Sequence, residues 1–201
     1  MSTPGPLRIV PLGGDHVDEV IRIHLAGMGY SLNSRLGRDH MRFLYQTIAS
    51  YPGGYAGVAL EGDRPVGVVT GVLDLAKFTS GLLRKMPVTR IATTAVRLLS
   101  KPALLREWRK GQVIAAPVFV GGAEVRAVLT AIVVDPAIQG KGIGRALVEA
   151  FEQFLRTAGV FAYRLDTLIK NERAIRFYRD IGFLEIARRA VSIIFVRQLT
   201  P

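Results

Sequence analysis

Apolar and polar positions alternate along the chain in blocks that predict strands and amphipathic helices. The first part of the chain combines one strand, two helices and a β-hairpin, predicted at residues 7–12, from Asp15 to about residue 27, and at 38–49, 55–60 and 66–73. The strands of the hairpin are joined by residues 61–65, which include the turn formers Gly62 and Pro65. Strands mixed with helices in this way predict an α/β domain.

The second half of the chain contains the clearest helix. Its apolar side chains recur at helical spacing and form one stripe: Ile143, Ala146, Leu147, Ala150, Phe151, Phe154 and Leu155. A long strand is predicted before it at 124–134, and ends at Asp135 and Pro136 because proline cannot extend a strand ladder. A strand at 161–167, a helix at about 172–181 and two strands within 183–197 complete the predicted elements.

The segment 75–112 has a different character. Basic residues are interleaved with Leu, Ile and Val, and Pro87 and Pro102 interrupt them, which predicts two or three short amphipathic helices. Nine lysines and arginines occur there against one acidic residue, Glu107, so this segment contains most of the excess behind the formal net charge of +11. Such a charge attracts anionic partners: nucleic acid, a membrane surface or phosphorylated ligands.

Length and composition exclude several classes of protein. With 201 residues, 49% of them hydrophobic, we expect a single domain at residues 7–198 with 75–112 as an insertion. The absence of cysteine excludes disulfides and a thiol nucleophile, and with three histidines we expect no metal site. No run approaches the roughly 20 apolar residues of a membrane-spanning helix, and residues 1–10 lack a secretory leader pattern, so the predicted location is the cytoplasm.

The most informative segment is 135–145, between the long strand and the clearest helix. It contains Gly140, Gly142 and Gly144. Glycines let the backbone approach a ligand, and the free N–H groups of a helix N-terminus suit a phosphate or diphosphate. The segment is not a Walker loop, because glycine follows Lys141 where Ser or Thr is needed, and it is one residue too short for the dinucleotide fingerprint. It predicts an anion site of another kind, against the alternative of a glycine turn that only starts the helix.

Two motifs resemble those of the GNAT superfamily of acyl-coenzyme A N-acyltransferases. That family's cofactor motif, Arg or Gln, two residues, Gly, one residue, then Gly or Ala, is matched by Gln139, Gly142 and Gly144. A second motif at 171–183 has an Asn, an Ala, an aromatic-Tyr pair and a Gly-Phe at the family's spacing. The strong match covers 129–183. The resemblance implies an α/β (α+β) fold with a mixed, mostly antiparallel sheet of six to seven strands flanked by helices, and with 75–112 as an extra helical insertion between strands 3 and 4.

The resemblance also implies acetyl-CoA as co-substrate and a set of residues that bind it. The backbone of the long strand would pair with the pantetheine arm, and the N–H groups of the glycine segment would hold the diphosphate. The implied residues are Ile132, Val133, Val134, Gln139, Gly140, Lys141, Gly142, Ile143, Gly144, Arg145 and Asn171. Asn is also a favoured helix N-cap, so the alternative role for Asn171 is to cap the helix that follows it.

Two further residues are implied to be catalytic. Tyr178 resembles the tyrosine that assists the departing thiolate, although it also fits a core stripe with Ala174 and Ile181. Asp166 lies twelve residues upstream of Tyr178, where relatives often have a carboxylate that accepts the proton of the amine. A structural Asp, Glu124 as base, or ordered water alone remain alternatives.

The function implied is transfer of an acetyl group from acetyl-CoA to a primary amine by direct attack, in a complex that holds both substrates. The acceptor is a small molecule or a protein amine. One alternative is an N-acyltransferase with a longer acyl chain or a lipid-linked acceptor, in peripheral contact with a membrane through 75–112. The others are a lid or homodimer contact for that segment, and a non-enzymatic acyl-CoA or nucleic-acid binder. Nucleic acid is disfavoured because only Phe78 and Trp108 are aromatic there.

Overall fold

The computed structural model describes residues 5–100 and 117–200. Its strands are β1 (Leu7–Pro11), β2 (Gly54–Glu61), β3 (Arg64–Val72), β4 (Phe119–Val120), β5 (Ala123–Glu124), β6 (Ala127–Val134), β7 (Ala162–Leu168), β8 (Leu184–Arg188) and β9 (Ser192–Gln198). Its helices are α1 (Val17–Met28), α2 (Leu32–Arg35), α3 (Arg38–Ser50), α4 (Leu75–Lys85), α5 (Val88–Ser100), α6 (Ile143–Thr157) and α7 (Glu172–Asp180).

Seven of these strands form one sheet in the order β1-β2-β3-β6-β7-β9-β8. Neighbouring strands are antiparallel except β6 and β7, which are parallel. The predicted mixed, mostly antiparallel sheet of six to seven strands flanked by helices is confirmed, and α4 and α5 follow the third strand as the charge pattern predicted. Residues 101–112 of that segment lie outside the described residues.

Helices cover both faces of the sheet. On one face, α6 buries the stripe that its sequence predicts, including Leu147, Phe151 and Leu155, against the middle strands. On the other face, α1 and α3 pack in a second apolar cluster. Consecutive residues of β3 show the division, because Val68 belongs to the second cluster and Val69 to the first. The sheet is therefore the middle layer of three.

One predicted strand is wrong in its extent. The run 124–134 does not form a single strand: β5 ends at Glu124 and pairs with β4 in a small separate hairpin, and β6 begins at Ala127. The break occurs because Val125 packs with Val118 against Ile194 of β9, which turns the chain out of the main sheet. The apolar character of Val125 is due to this side cluster.

The short helix α2 is not evident from the sequence pattern. It has four residues, too few for a periodic stripe, and begins where the Ser31 hydroxyl accepts a hydrogen bond from the Ser34 N–H. Its position matters for function, since the turn between α1 and α2 borders the cleft described below.

Substitution of Gly71 in β3 tests how tightly α6 packs on the sheet. A Cβ atom there would lie 2.3 Å from Phe151 Cε2 and 2.9 Å from the Val128 carbonyl oxygen. We expect Gly71→Ala to lower the free energy of unfolding by about 1–3 kcal/mol, or roughly 3–10 °C in the thermal midpoint. Gly14→Ala is the matched control, since no heavy atom lies within 4 Å of its Cβ position. Equal midpoints for the two variants in thermal melts would contradict this packing.

Candidate functional site

The parallel strands β6 and β7 pair at one end only. Their register joins Ala127 to Tyr163 and Val128 to Arg164, and beyond these pairs the strands separate. A cleft of about 1170 Å³ opens between them, lined by residues 129–134 of β6 and 165–171 in and after β7. Its far walls are α7 and the turn between α1 and α2. Among the described strands, none pairs with the cleft edge of β6 from Leu129 onwards.

The glycine segment forms one end of this cleft. Gly140 and Gly142 have positive φ angles of 92° and 78°, and no heavy atom lies within 4 Å of either Cβ position. No side chain caps the N-terminus of α6 at Gly142. The first N–H groups of α6 therefore lack partners within the helix and border the cleft, as the anion-site interpretation requires.

The third glycine has a packing role. A Cβ at Gly144 would lie 3.2 Å from Phe177 Cζ, so glycine lets α6 approach α7 closely. Ile143 is buried in the core while it also lines the cleft, and Arg145 lines the cleft from an exposed position. The residues 132–134 line the cleft from β6 and pair on their other edge with residues 67–69 of β3.

Two of the predicted cofactor-binding side chains point to other contacts. The Gln139 side-chain amide donates a hydrogen bond to the Val134 carbonyl oxygen at 2.9 Å, which holds the segment against the end of β6. The Lys141 ammonium lies 3.9 Å from Glu61 Oε1, and Lys141 is not among the residues that line the cleft. Gln139 lines the cleft together with the three glycines, whereas Lys141 does not.

The buried carboxylate of Asp135 fixes the start of the glycine segment. From the sequence, Asp135 is predicted only to end the long strand. Asp135 accepts hydrogen bonds from the Ala137 N–H at 3.1 Å and from the Arg22 guanidinium at 2.8 Å, and Arg64 lies 3.4 Å away. These contacts, first the Ala137 N–H and then Arg22, hold the pKa of the Asp135 carboxyl below its usual value. The contact between Arg22 and Asp135 joins α1 to the glycine segment. Nothing in the sequence signals this contact, because the two residues are 113 positions apart.

Asn171 performs the capping role and also faces the cleft. Its side-chain oxygen accepts a hydrogen bond from the Ala174 N–H at 3.2 Å, at the start of α7. Its amide nitrogen donates to the Tyr30 hydroxyl at 3.1 Å. Tyr30 lies in the turn after α1. This hydrogen bond therefore joins two segments that line the cleft and are 141 residues apart in the sequence. Tyr30 is a site residue that sequence reasoning missed.

Tyr178 is both a core residue and a cleft residue. Its ring packs among Phe177, Phe183 and Phe195, with ring centroids 5.3–5.8 Å apart. It also lines the cleft. Burial, and secondarily the nearby Tyr30, raise the pKa of its hydroxyl above the usual value, so the phenol stays protonated at neutral pH.

Asp166 lines the cleft from β7 with its carboxylate largely buried. Its Oδ2 accepts a hydrogen bond from the Arg164 guanidinium at 2.7 Å, and Oδ1 has no hydrogen-bond partner among the described residues. Burial raises the pKa of this carboxyl to about 6, against the attraction of Arg164 and Arg189. Glu124, the weaker candidate, is exposed outside the cleft, where it accepts a hydrogen bond from Arg126 at 2.8 Å.

The cleft fits an elongated anionic cofactor. Its volume is at or above the upper end of the roughly 300–1,000 Å³ of ordinary ligand pockets. One wall is an unpaired strand edge that can bond amides, and one end is an uncapped helix N-terminus that suits a diphosphate.

The sequence model of the acetyltransferase (GNAT) family matches residues 28–183, which includes the whole of this cleft's β6–α6 and β7–α7 walls. The chain belongs to the acetyltransferase (GNAT) family. The GNAT resemblance is therefore confirmed. The second motif of the family supplies Asn171 and Tyr178, which line the same cleft as the glycine segment.

Curated relatives of this GNAT protein match it over a limited stretch. It is similar to the N-alpha-acetyltransferase RimI of Mycobacterium tuberculosis, with 40% identity over 56 residues, 28% of this chain and 34% of the relative. It is also similar to the ribosomal protein bS18-alanine N-acetyltransferase of Salmonella typhimurium, with 40% identity over 63 residues, 31% of this chain and 43% of the relative. The matched stretches thus span less than half the length of these relatives.

A solved structure shows the same fold over nearly the whole chain. The ribosomal-protein-S18-alanine N-acetyltransferase from Escherichia coli matches with a TM-score of 0.61 at 16% sequence identity, and the match covers 98% of this chain and 96% of that one. At this identity, the likeness concerns the fold alone.

The raised pKa of Asp166 can be measured directly. Carboxyl ¹³C NMR should show Asp166 titrating near pH 6, and the signal should be missing in Asp166→Asn. Because the folded protein then holds a proton that the unfolded chain releases at lower pH, wild-type stability relative to Asp166→Asn should fall as pH rises from about 4 to 6. A midpoint near the ordinary value for Asp would contradict the burial of this group.

Proposed function

We propose that this GNAT protein is an acetyl-CoA-dependent N-acetyltransferase whose acceptor is the α-amine of a protein or peptide N-terminus. The observation that carries the proposal is the cleft between the separated strands β6 and β7, closed at one end by the uncapped start of α6. The named activities of the two curated relatives support this acceptor class. An acceptor of this kind would place the activity in the cytoplasm.

The cofactor would be held mainly by backbone groups. The free edge of β6 at residues 132–134 would pair with the amides of the pantetheine arm, and the N–H groups at the start of α6 would bind the diphosphate. Arg145 adds a positive charge at this end, and Gln139 keeps the segment in place through Val134. When bound, the thioester supplies an activated acetyl group, so the protein itself needs no nucleophile.

Asp166 would accept the proton that the amine must lose, directly or through water. A proton passing from an α-ammonium of pKa about 7.7–8.0 to a carboxyl of pKa about 6 climbs roughly 2 units, or about 2.5 kcal/mol. From a lysine ammonium of pKa about 10.4 the same transfer climbs more than 4 units, or about 6 kcal/mol. Asp166 would therefore deprotonate an α-amine at a lower cost than a lysine side chain, because the α-ammonium is the stronger acid.

Tyr178 would donate a hydrogen bond to the sulfur as the carbon–sulfur bond breaks. Its phenol is protonated at neutral pH and lines the same cleft as Asp166. Because its pKa is raised above the usual value, it is a weak acid, and its contribution belongs at the low end of the ~100- to 10,000-fold range of general acids.

The second candidate function keeps the fold and the cofactor and changes the substrate. A longer acyl chain or a lipid-linked amine is favoured by one observation, the exposed apolar side chains of α5 beside the basic residues of the same segment. Turnover with peptide α-amines, absent with lipid-linked amines, would decide against it.

Matched glycine variants test the cofactor site. Gly142 and Gly159 lie at opposite ends of α6, both have positive φ, and the Cβ position of each is open. Alanine in such a conformation costs about 1–2 kcal/mol at either position. We expect Gly142→Ala to weaken coenzyme A binding in calorimetry at least about tenfold, since its Cβ obstructs close approach of the diphosphate. Gly159→Ala should bind as the wild type does, and equal affinities for the two variants would contradict the site.

The pH dependence of turnover tests Asp166 as the base. With a peptide α-amine as acceptor, kcat/KM of the wild type should rise with pH through about 6, where Asp166 loses its proton. In Asp166→Asn this rise should vanish and the rate at pH 7 should fall at least about a hundredfold. Tyr178→Phe should keep the rise and lower kcat about a hundredfold. An unchanged profile in Asp166→Asn would remove Asp166 from this role.

Acceptor panels test the substrate class. Peptides with a free α-amine should be acetylated, and the same peptides with a blocked N-terminus and a free lysine should react at least about a hundredfold more slowly, since their proton transfer is about 3 kcal/mol more costly. Release of coenzyme A measures both reactions. Preference for the lysine peptide would overturn the proposed acceptor.

A further inference from the structure

The helix α5 presents an apolar stripe to solvent. Its Val88, Val96 and Leu99 are 80%, 64% and 73% exposed. Together with Ile91, Ala92 and Ala95 they recur at the spacing of one helical face. Every side chain of α5 that the structure describes is exposed, so this stripe does not face the apolar core. Exposed apolar residues grouped on one face, unlike scattered ones, mark an interaction surface.

The helix that precedes this stripe, α4, packs on the domain. In α4, Phe78 is buried and packs edge-on against Tyr51 with ring centroids 5.2 Å apart. Asp74 caps α4 by accepting a hydrogen bond from the Lys77 N–H at 2.9 Å. The helix α4 is anchored to the sheet because Phe78 lies in an apolar cluster with Ala56, Val72 and Val128. The helix α5, which carries the apolar stripe, begins directly after Pro87 at the end of this anchored helix.

Charge identifies the kind of partner. The sequence from 75 to 100, which contains α4 and α5, has five basic residues and no acidic residue, and the side chains of Lys77 and Arg84 on α4 are exposed. A second copy of this chain would bring two strongly positive segments together, which repels. A nucleic acid would neutralise the charge but would leave the aliphatic stripe in water. An anionic lipid surface fits both the apolar stripe and the positive charge. The acyl chains take up the stripe, and the headgroups attract the lysines and arginines.

Length limits how α5 meets a bilayer. It has 13 residues, about 20 Å at 1.5 Å per residue, against the ~30 Å of a hydrocarbon core. Among the helices in residues 5–100 and 117–200, none is long and apolar enough to cross a membrane. A short helix with one apolar face lies in the plane of the interface.

We propose that α4 and α5 dock this protein on an anionic lipid membrane, with the apolar face of α5 inserted among the headgroups. The docking surface is separate from the cleft, and the proposal stands whether or not the proposed acetyl transfer is correct.

Vesicle binding of the full chain tests this surface. The protein should co-sediment with vesicles of phosphatidylglycerol and phosphatidylcholine at about 0.15 M salt, and only weakly with phosphatidylcholine alone. Leu99→Glu and Val96→Glu should each lower the partition coefficient at least about tenfold, the value of one buried aliphatic side chain. Leu184→Glu is the matched control, because Leu184 is 66% exposed on β8, and it should bind as the wild type does. Thermal melts and coenzyme A titration confirm that each variant is folded.

Four outcomes would overturn the proposal. These are no sedimentation with anionic vesicles, equal loss in the Leu184→Glu control, and binding that Leu99→Glu and Val96→Glu leave unchanged. The fourth is a dimer in analytical ultracentrifugation that dissociates in the α5 variants, which would assign the face to a second copy. Affinity for RNA without sedimentation with anionic vesicles would likewise overturn the proposal.

Discussion

The cleft of this structure depends on the separation of two parallel strands, β6 and β7. After Ala127 and Val128 bond to Tyr163 and Arg164, β6 follows β3 while β7 follows β9, and the two strands separate. Backbone amides left unpaired in a protein interior are costly, so a gap in the middle of a sheet persists only where water or a ligand supplies partners. The gap ends at the uncapped start of α6, which adds free N–H groups of the same kind. Hydrogen-bonding capacity along one edge and positive potential at one end suit an extended amide-containing diphosphate.

Two contacts hold the walls of this gap in relation to each other. Asp135 and Arg22 join the glycine segment to α1, and the Asn171–Tyr30 hydrogen bond joins the cap of α7 to the turn after α1. Both contacts therefore attach a wall of the cleft to α1 or to the turn that follows it. The raised pKa of Asp166 arises from the burial of its own carboxyl beside this gap.

The sequence was sufficient for the elements with strong periodicity and for the glycine segment. The α6 stripe and the hairpin follow from patterns that burial imposes, and the cofactor motif is local in the chain. The mixed, mostly antiparallel sheet was expected from the resemblance to the GNAT family. Three features could not be predicted. Tyr30 and Arg22 act through partners more than 100 residues away, and an isolated tyrosine or arginine gives no local signal. The break at Val125 depends on a side cluster with Ile194, since an apolar run is the same in a straight strand and a bent one.

We propose that the free edge of β6 and the start of α6 together bind coenzyme A through their backbone. Amide chemical shifts in ¹⁵N-labelled protein, followed during titration with coenzyme A, test this binding residue by residue. We expect the largest shifts on the amides of residues 129–134 and 140–145, with saturation in the micromolar range that is usual for such co-substrates. Saturable shifts confined to other parts of the chain, or the absence of any shift at millimolar coenzyme A, would contradict it.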